Sequence, residues 1–457
     1  MTRFFGFAAI CAVLASCAAP PPSLFHEAGR GAPQIIAPRP DYPGYGAAVG
    51  KQDVPWRAKD LVADFMDLNF KSESGRRIRK LPRWEGPVRV ALASEELRAY
   101  RADVEALVET IRAHAPGLDL AVTDAPRGDI TLRTAPRDEM QERAPEALCF
   151  FNFVGVDWPA YRAREYGEPG VDQDGRISAV TIFIPAKAAP HVYRTCIFEE
   201  IMQALGPTND LYRLEDSGFN DDEAHNAPTA FDLLMLRLLY APELERGMDR
   251  AAARKGVAAA LRRIGHEGDR DRPGPVGEAR YVHLYAKGLS DEHSVDERRR
   301  SLLEAIDFTG IDTDHDFRRG EALRALMITE TNASELDAAI RHGRAAEAFF
   351  EAYPDPGSAR LARVRRVLGF RYLEADEIDE AFEAFEAAEG DLAAHMLDDE
   401  LALALYGKAV ALARLARFVE AEEAADAALD WAAYVFGADS ATLATWRRVL
   451  RSYEIGV

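Results

Sequence analysis

Cys196-Ile197-Phe198-Glu199-Glu200-Ile201-Met202-Gln203-Ala204-Leu205-Gly206-Pro207-Thr208-Asn209-Asp210 reads as a helix closed by a glycine turn. Positions 199, 200 and 203 fall within one turn, and Glu199 and Gln203 share a helix face. Upstream, residues 179–184 form an apolar, strand-length run, followed closely by Pro190 at the start of the helix. Further back the spacing predicts a helix over 60–68, a strand over 87–92 and one long helix over 95–114. Short strands are expected at 118–122, 129–133 and 148–154. Strands and helices mixed in this way predict an α+β fold with one mixed sheet over residues 57–250.

The helix and its exit resemble the zinc-binding segment of zincin metallopeptidases. There, two His at i and i+4 hold the metal, and the Glu after the first His activates the bound water. Laid on that pattern, Glu199 takes the first ligand position, Glu200 the general base and Gln203 the second ligand. Gly206 matches the turn glycine and Asn209 the third ligand position. Asp216-Ser217-Gly218-Phe219-Asn220 sits where metzincins carry their Met-turn, with Phe219 in the methionine position. Thr229-Ala230-Phe231-Asp232 and Leu236-Arg237-Leu238-Leu239-Tyr240 resemble the last helix of matrixins. On this resemblance residues 177–184 would supply the edge strand above the cleft. Together with Leu239-Tyr240-Ala241-Pro242 and Gly247-Met248, these motifs resemble domain-of-unknown-function family 2927. That family occurs in bacterial lipoproteins and is similar to a degenerate zincin; the likeness spans roughly residues 60–250. It implies a fold and no established activity.

Zinc prefers imidazole and thiolate, whereas Glu199, Gln203 and Asn209 offer only oxygen. Such a set argues against zinc and suits calcium or magnesium better, with few charges for tight binding. Three uses of the segment compete. A polar network with a partner-binding role is favoured. A hydrolase through Glu200, helped by His191 or His225, is the second. An oxygen-ligand cation site joining Glu199 or Glu200 to Asp210, Asp221 or Asp222 is the third. Asn220-Asp221-Asp222-Glu223 also reads as a solvated turn.

The chain opens with Met1-Thr2-Arg3, an apolar run over 4–14 and Leu14-Ala15-Ser16-Cys17. A cationic start and a short apolar core describe a secretory signal, too short to span a bilayer. Leu-Ala-Ser-Cys resembles the bacterial lipobox, which implies removal of residues 1–16 and acylation of Cys17. Ala18 follows, with no Asp to signal inner-membrane retention. The expected address is the cell envelope of a Gram-negative bacterium, periplasm-facing, with the outer membrane favoured. Residues 17–56 are rich in Pro and Gly and read as an extended tether. Of four cysteines, Cys11 leaves with the signal and Cys17 carries lipid. An oxidising compartment then favours a disulfide between Cys149 and Cys196, two separate buried thiols being the alternative.

From 251 to 457 strand signals vanish and a 3.6-residue period dominates. Ile378-Asp379-Glu380-Ala381 overlays Phe418-Val419-Glu420-Ala421. Leu368, Gly369, Tyr372, Ala381, Phe385 and Ala388 resemble the tetratricopeptide pattern of small residues beside ring-filled gaps. A second unit carries Ala409, Leu412, Ala421, Ala425 and Ala428. A weaker one centres on Ala339, Gly343 and Ala346, with Pro354 closing it. An all-α helical-repeat domain implies a protein partner in the envelope, with an unrelated helical bundle as the alternative.

The chain has 457 residues, 48% hydrophobic, and a net charge of −20 spread along its length. Such a surface argues against nucleic acid and against electrostatic docking on anionic lipid, so attachment should rest on the acyl chains. The basic run Arg76-Arg77-Ile78-Arg79-Lys80 reads as a solvated edge, its other role being contact with phosphate head groups.

Overall fold

The computed structural model describes residue 45 and residues 54–456, except 73–74, 145–146, 154, 164–173, 221–224, 273–277, 291, 310–315, 331–334 and 354–358. Cys17, Asp221, Asp222, Glu223 and Pro354 lie outside the described residues. Two compact units are present, one within residues 33–274 and the other within 275–457.

In the first unit, helix α1 (Ala58–Asn69) precedes β1 (Val88–Leu92), α2 (Glu95–Arg98) and α3 (Arg101–His114). Then come β2 (Leu120–Thr123), β3 (Ile130–Ala135), α4 (Arg137–Arg143), β4 (Phe150–Asn152) and α5 (Trp158–Arg162). Strand β5 (Val180–Pro185) leads into α6 (Pro190–Ala204), followed by α7 (Ala230–Leu239) and α8 (Arg250–Arg263). The five strands form one mixed sheet in the order β2-β1-β3-β5-β4, all neighbours parallel except β4, which runs antiparallel to β5.

The sequence placed β5 at the sheet edge; the structure places it inside. All six of its residues are buried, and both β3 and β4 pair with it. A strand covered on both faces belongs to the middle of a sheet, and the edge falls to β4. The single helix expected over 95–114 is two, because the chain steps at Ala99-Tyr100 to bury the Tyr100 ring against Tyr193, with centroids 5.0 Å apart. The first unit also outlasts its strand signal: α8 packs on α1 and α7. The end of the proline-rich segment is tied down. Tyr45 is fully buried, donates its hydroxyl to the Arg194 carbonyl at 3.0 Å and lies beside Phe198.

The second unit is all-helical: α9 (Glu278–Leu289), α10 (Val295–Thr309), α11 (Phe317–Thr329), α12 (Leu336–Glu351) and α13 (Ala359–Glu374), then α14 (Ile378–Ala394), α15 (Asp398–Arg414), α16 (Phe418–Phe436) and α17 (Ala441–Ser452). Consecutive helices pack on one another, and α9, α11, α13, α15 and α17 also touch one another in that order. The internal likeness seen in the sequence is a repeat of backbone geometry. Asp376 and, forty residues on, Ala416 both adopt a left-handed conformation at a helix end. Glu377 N bonds Tyr372 O as Arg417 N bonds Leu412 O. That spacing exceeds the ~34 residues of tetratricopeptide units. No helix among the described residues is long and apolar enough to cross a membrane.

Candidate functional site

Helix α6 starts at Pro190, a residue suited to a first turn whose amide would be unpaired anyway, and nearly every residue in it is buried. It ends at Ala204, and just beyond its cap Gly206 has a positive φ of 145° and a contact with Leu239 that leave no room for a side chain. Glu200 is 6% exposed and Gln203 7%, while Glu199 is half-buried. Two of the ligand-position residues, Gln203 and Asn209, are bonded within the chain. The Gln203 amide nitrogen donates to both carboxylate oxygens of Asp210 at 3.0 Å. The Asn209 amide nitrogen donates to the Asp67 carbonyl on α1 at 3.1 Å. His191 is buried at the start of α6, and His225 meets the Glu215 carbonyl at 3.1 Å. Among the described residues no group of three or more His, Cys, Asp or Glu is placed to hold a metal ion. Glu199, Gln203 and Asn209 offer carboxylate and amide groups where zinc prefers imidazole and thiolate, so this donor set does not fit zinc.

The loop after α6 is fixed from beneath. Ser217 donates to Asp232 at 2.5 Å, and the amides of Gly218 and Thr229 donate to the same carboxylate at 3.1 and 3.0 Å. Thr229 and Asp232 together form a capping box for α7. Phe219 is buried, and the Phe198 ring of α6 packs so closely on Gly218 that a Cβ there would lie 2.4 Å from it. Burial pushes the Asp232 carboxyl up to about 6, against the three hydrogen bonds that favour its charge.

Those motifs and that arrangement run through α1 to α8. Residues 58–259 match the family model described as Protein of unknown function (DUF2927). No curated protein matches the chain. The DUF2927 segment begins at the first residue of α1 and ends within α8, yet one of its main stays comes from beyond it.

Arg272 sits in a buried ion-pair network that the sequence did not announce. Its Nε lies 2.9 Å from Asp64 and its Nη2 2.7 Å from Asp216, while its guanidinium stacks 4.1 Å from the Trp56 ring centroid. Arg213 reaches Asp64 and Asp67 at 3.1 and 3.2 Å, and Trp56 donates to Asp216 at 2.6 Å. Burial opposes the Arg272 charge, but Asp216 and Asp64 outweigh it and hold its pKa above the ordinary value. The network clamps α1 to the 209–220 loop. Asp64 and Asp67 on the buried side of a helix were the available signal, because carboxylates are seldom fully buried unless paired. Cys149, just before β4, is bonded to Cys196 of α6, with Cα atoms 5.9 Å apart. This ties the sheet edge to the site helix.

Proposed function

We propose that this protein is a lipid-anchored bacterial envelope protein built from a non-catalytic zincin-like unit and a tetratricopeptide-like unit that holds a protein partner. The observation that carries the reading is the internal use of the ligand-position amides: Gln203 on Asp210 and Asn209 on the Asp67 carbonyl. A hydrolytic site keeps an open coordination position and a water for its base, whereas Glu200 lies almost wholly beneath the surface. The antiparallel edge strand β4 beside α6 supports the zincin-like reading of the fold. Small residues around a ring support the repeat reading: a Cβ on Gly369 or Gly407 would come within 2.7 or 2.2 Å of the Phe385 ring.

The test has three readouts. Mass spectrometry of membrane-extracted protein should find a mature chain beginning at acylated Cys17. Purification from membranes should return a partner protein in constant stoichiometry, and repeated recovery of the chain alone would count against the binding role. Elemental analysis combined with Glu200→Gln decides the catalytic alternative, a peptidase or amidase. Zinc near one per chain, with a phenotype lost in the variant, would overturn the proposal.

A further inference from the structure

The first unit carries a cationic surface at odds with the acidic whole. A hairpin pairs residues 70–72 with 76–78, Ile78 N bonding Phe70 O at 3.0 Å and Lys71 bridging to Arg77. Arg76, Arg77 and Arg79 are exposed on it. Its exit is bonded to the entry of α8, Leu81 N meeting Met248 O at 2.9 Å. The Arg250 guanidinium stands 5.9 Å from the Phe70 ring centroid, so hairpin and helix form one face. Helix α8 holds five cationic side chains and no acidic one, with Arg254 and Lys255 exposed next to Arg250. Two carboxylates described beside these cations, Asp67 and Asp249, are engaged. Asp67 is shared by Lys71 and Arg250 at 3.4 and 3.2 Å, and Asp249 accepts the amides of Ala251 and Ala252 as the cap of α8. Lys80 and Lys255 both act on the Asp249 carboxyl, after those amides, in holding it below its ordinary value.

We propose that this face docks the first unit on a membrane leaflet rich in anionic phospholipid head groups. The net charge of −20 made the whole chain a poor candidate for such docking. Salt reverses that judgement: at physiological ionic strength charges are screened beyond ~8 Å, so a surface responds to its local charge. Each cation that reaches an anionic leaflet raises the partition coefficient about fivefold. The inference needs no acylation of Cys17, and its test separates the two.

The full chain carrying Cys17→Ala is mixed with vesicles of phosphatidylcholine alone or with added phosphatidylglycerol. Stronger partitioning onto the anionic vesicles is expected, weakened by salt, with hydrogen-exchange protection confined to 70–80 and the start of α8. Replacing Arg76, Arg77, Arg254 and Lys255 together by Gln, all at exposed positions, should lower anionic partitioning by at least about tenfold. It should leave neutral partitioning and thermal stability unchanged. Equal partitioning onto both vesicle types, or indifference to the variant, overturns the docking surface. Retention on RNA of matched charge without vesicle binding also overturns it, by assigning the face to another polyanion. Failure to find lipid on Cys17 would leave this result standing.

Discussion

Ser217 and Asp232 meet across 2.5 Å in the interior of the first unit, both with no exposed surface. The contact ties the loop beneath α6 to the first turn of α7, and the Asp232 carboxylate accepts from two backbone amides as well. Taking this carboxylate out of water costs more than its three bonds return, which is why its pKa sits near 6 instead of near 3.8. The folded state therefore holds a proton over a window in which the unfolded chain has already lost it.

A pH dependence of definite sign follows. Between about pH 4 and 6 the protonated Asp232 favours the folded state, and that contribution disappears as pH rises through 6. The change is on the order of 2–3 kcal/mol for this group. Calorimetry of wild type and Asp232→Asn across this interval should show a difference that narrows with rising pH, because the variant has no proton to lose. A difference that stays constant through the window would refute the assignment. Ser217→Ala should cost roughly 1–3 kcal/mol at neutral pH by removing a donor to a buried charge.

In the second unit, charge does the opposite work. Glu321 on α11 receives Arg324 at 2.8 Å and Arg360 of α13 at 3.1 Å, and all three side chains are buried. Farther along α13, Arg363 and Arg366 pair with Glu400 of α15, so arginines of one helix reach carboxylates on both neighbours. Burial alone would raise the Glu321 carboxyl, but Arg324, Arg360 and Arg363 pull it down to about 2. Its stabilisation is complete above the ordinary carboxylate value near 4.5 and is lost as pH falls toward 2. Glu321→Gln should destabilise the helical unit by about 3–5 kcal/mol, since it strands buried guanidinium groups. Glu321→Met with Arg360→Met should recover part of that loss. Thermal unfolding of the full chain, followed by hydrogen exchange in α11 and α13, reads both effects.

These pairings explain what the sequence could and could not convey. Apolar runs placed all five strands within a few residues, because burial of alternating or continuous apolar side chains is a local property. Strand order is not local, and a run as uniformly apolar as 180–184 says that both faces are covered without saying which strands flank it. The spacing of Glu199, Gln203 and Asn209 was legible on one helix and its exit. Their partners were less so: Asp67, which takes the Asn209 amide, is 142 residues away. Arg360, Arg363 and Arg366 recur at every third position of α13, but the carboxylates they meet lie on α11 and α15, which the local sequence does not place beside them.

Close packing at Phe385 gives a third expectation. Its ring fills the space left by Gly369 on α13 and Gly407 on α15, and a Cβ at Gly407 would sit 2.2 Å from it. Gly407→Ala should cost about 1–3 kcal/mol through overpacking, although alanine is the better helix former. Phe385→Leu combined with Gly407→Ala should be less damaging than the sum of the two singles, as expected for residues that share one space. Additive losses in denaturant titrations would mean the ring does not set this helix separation.

The disulfide supplies the last expectation. Cys149 and Cys196 close a loop of 47 residues that spans β4, α5, β5 and the start of α6. In the chain-entropy model such a closure stabilises the folded state by about 4 kcal/mol. Among the described residues strand β4 pairs with β5 alone, through three residues, and its Phe150 sits in an aromatic cluster with Trp158, Tyr161 and Phe183. Reduction should therefore loosen the sheet edge before the centre. The double variant Cys149→Ser/Cys196→Ser should lose roughly 2–4 kcal/mol, with hydrogen exchange rising first in β4 and much less in β1 and β3. Uniform acceleration across all five strands would show that the bond secures the whole unit and has no special hold on its edge.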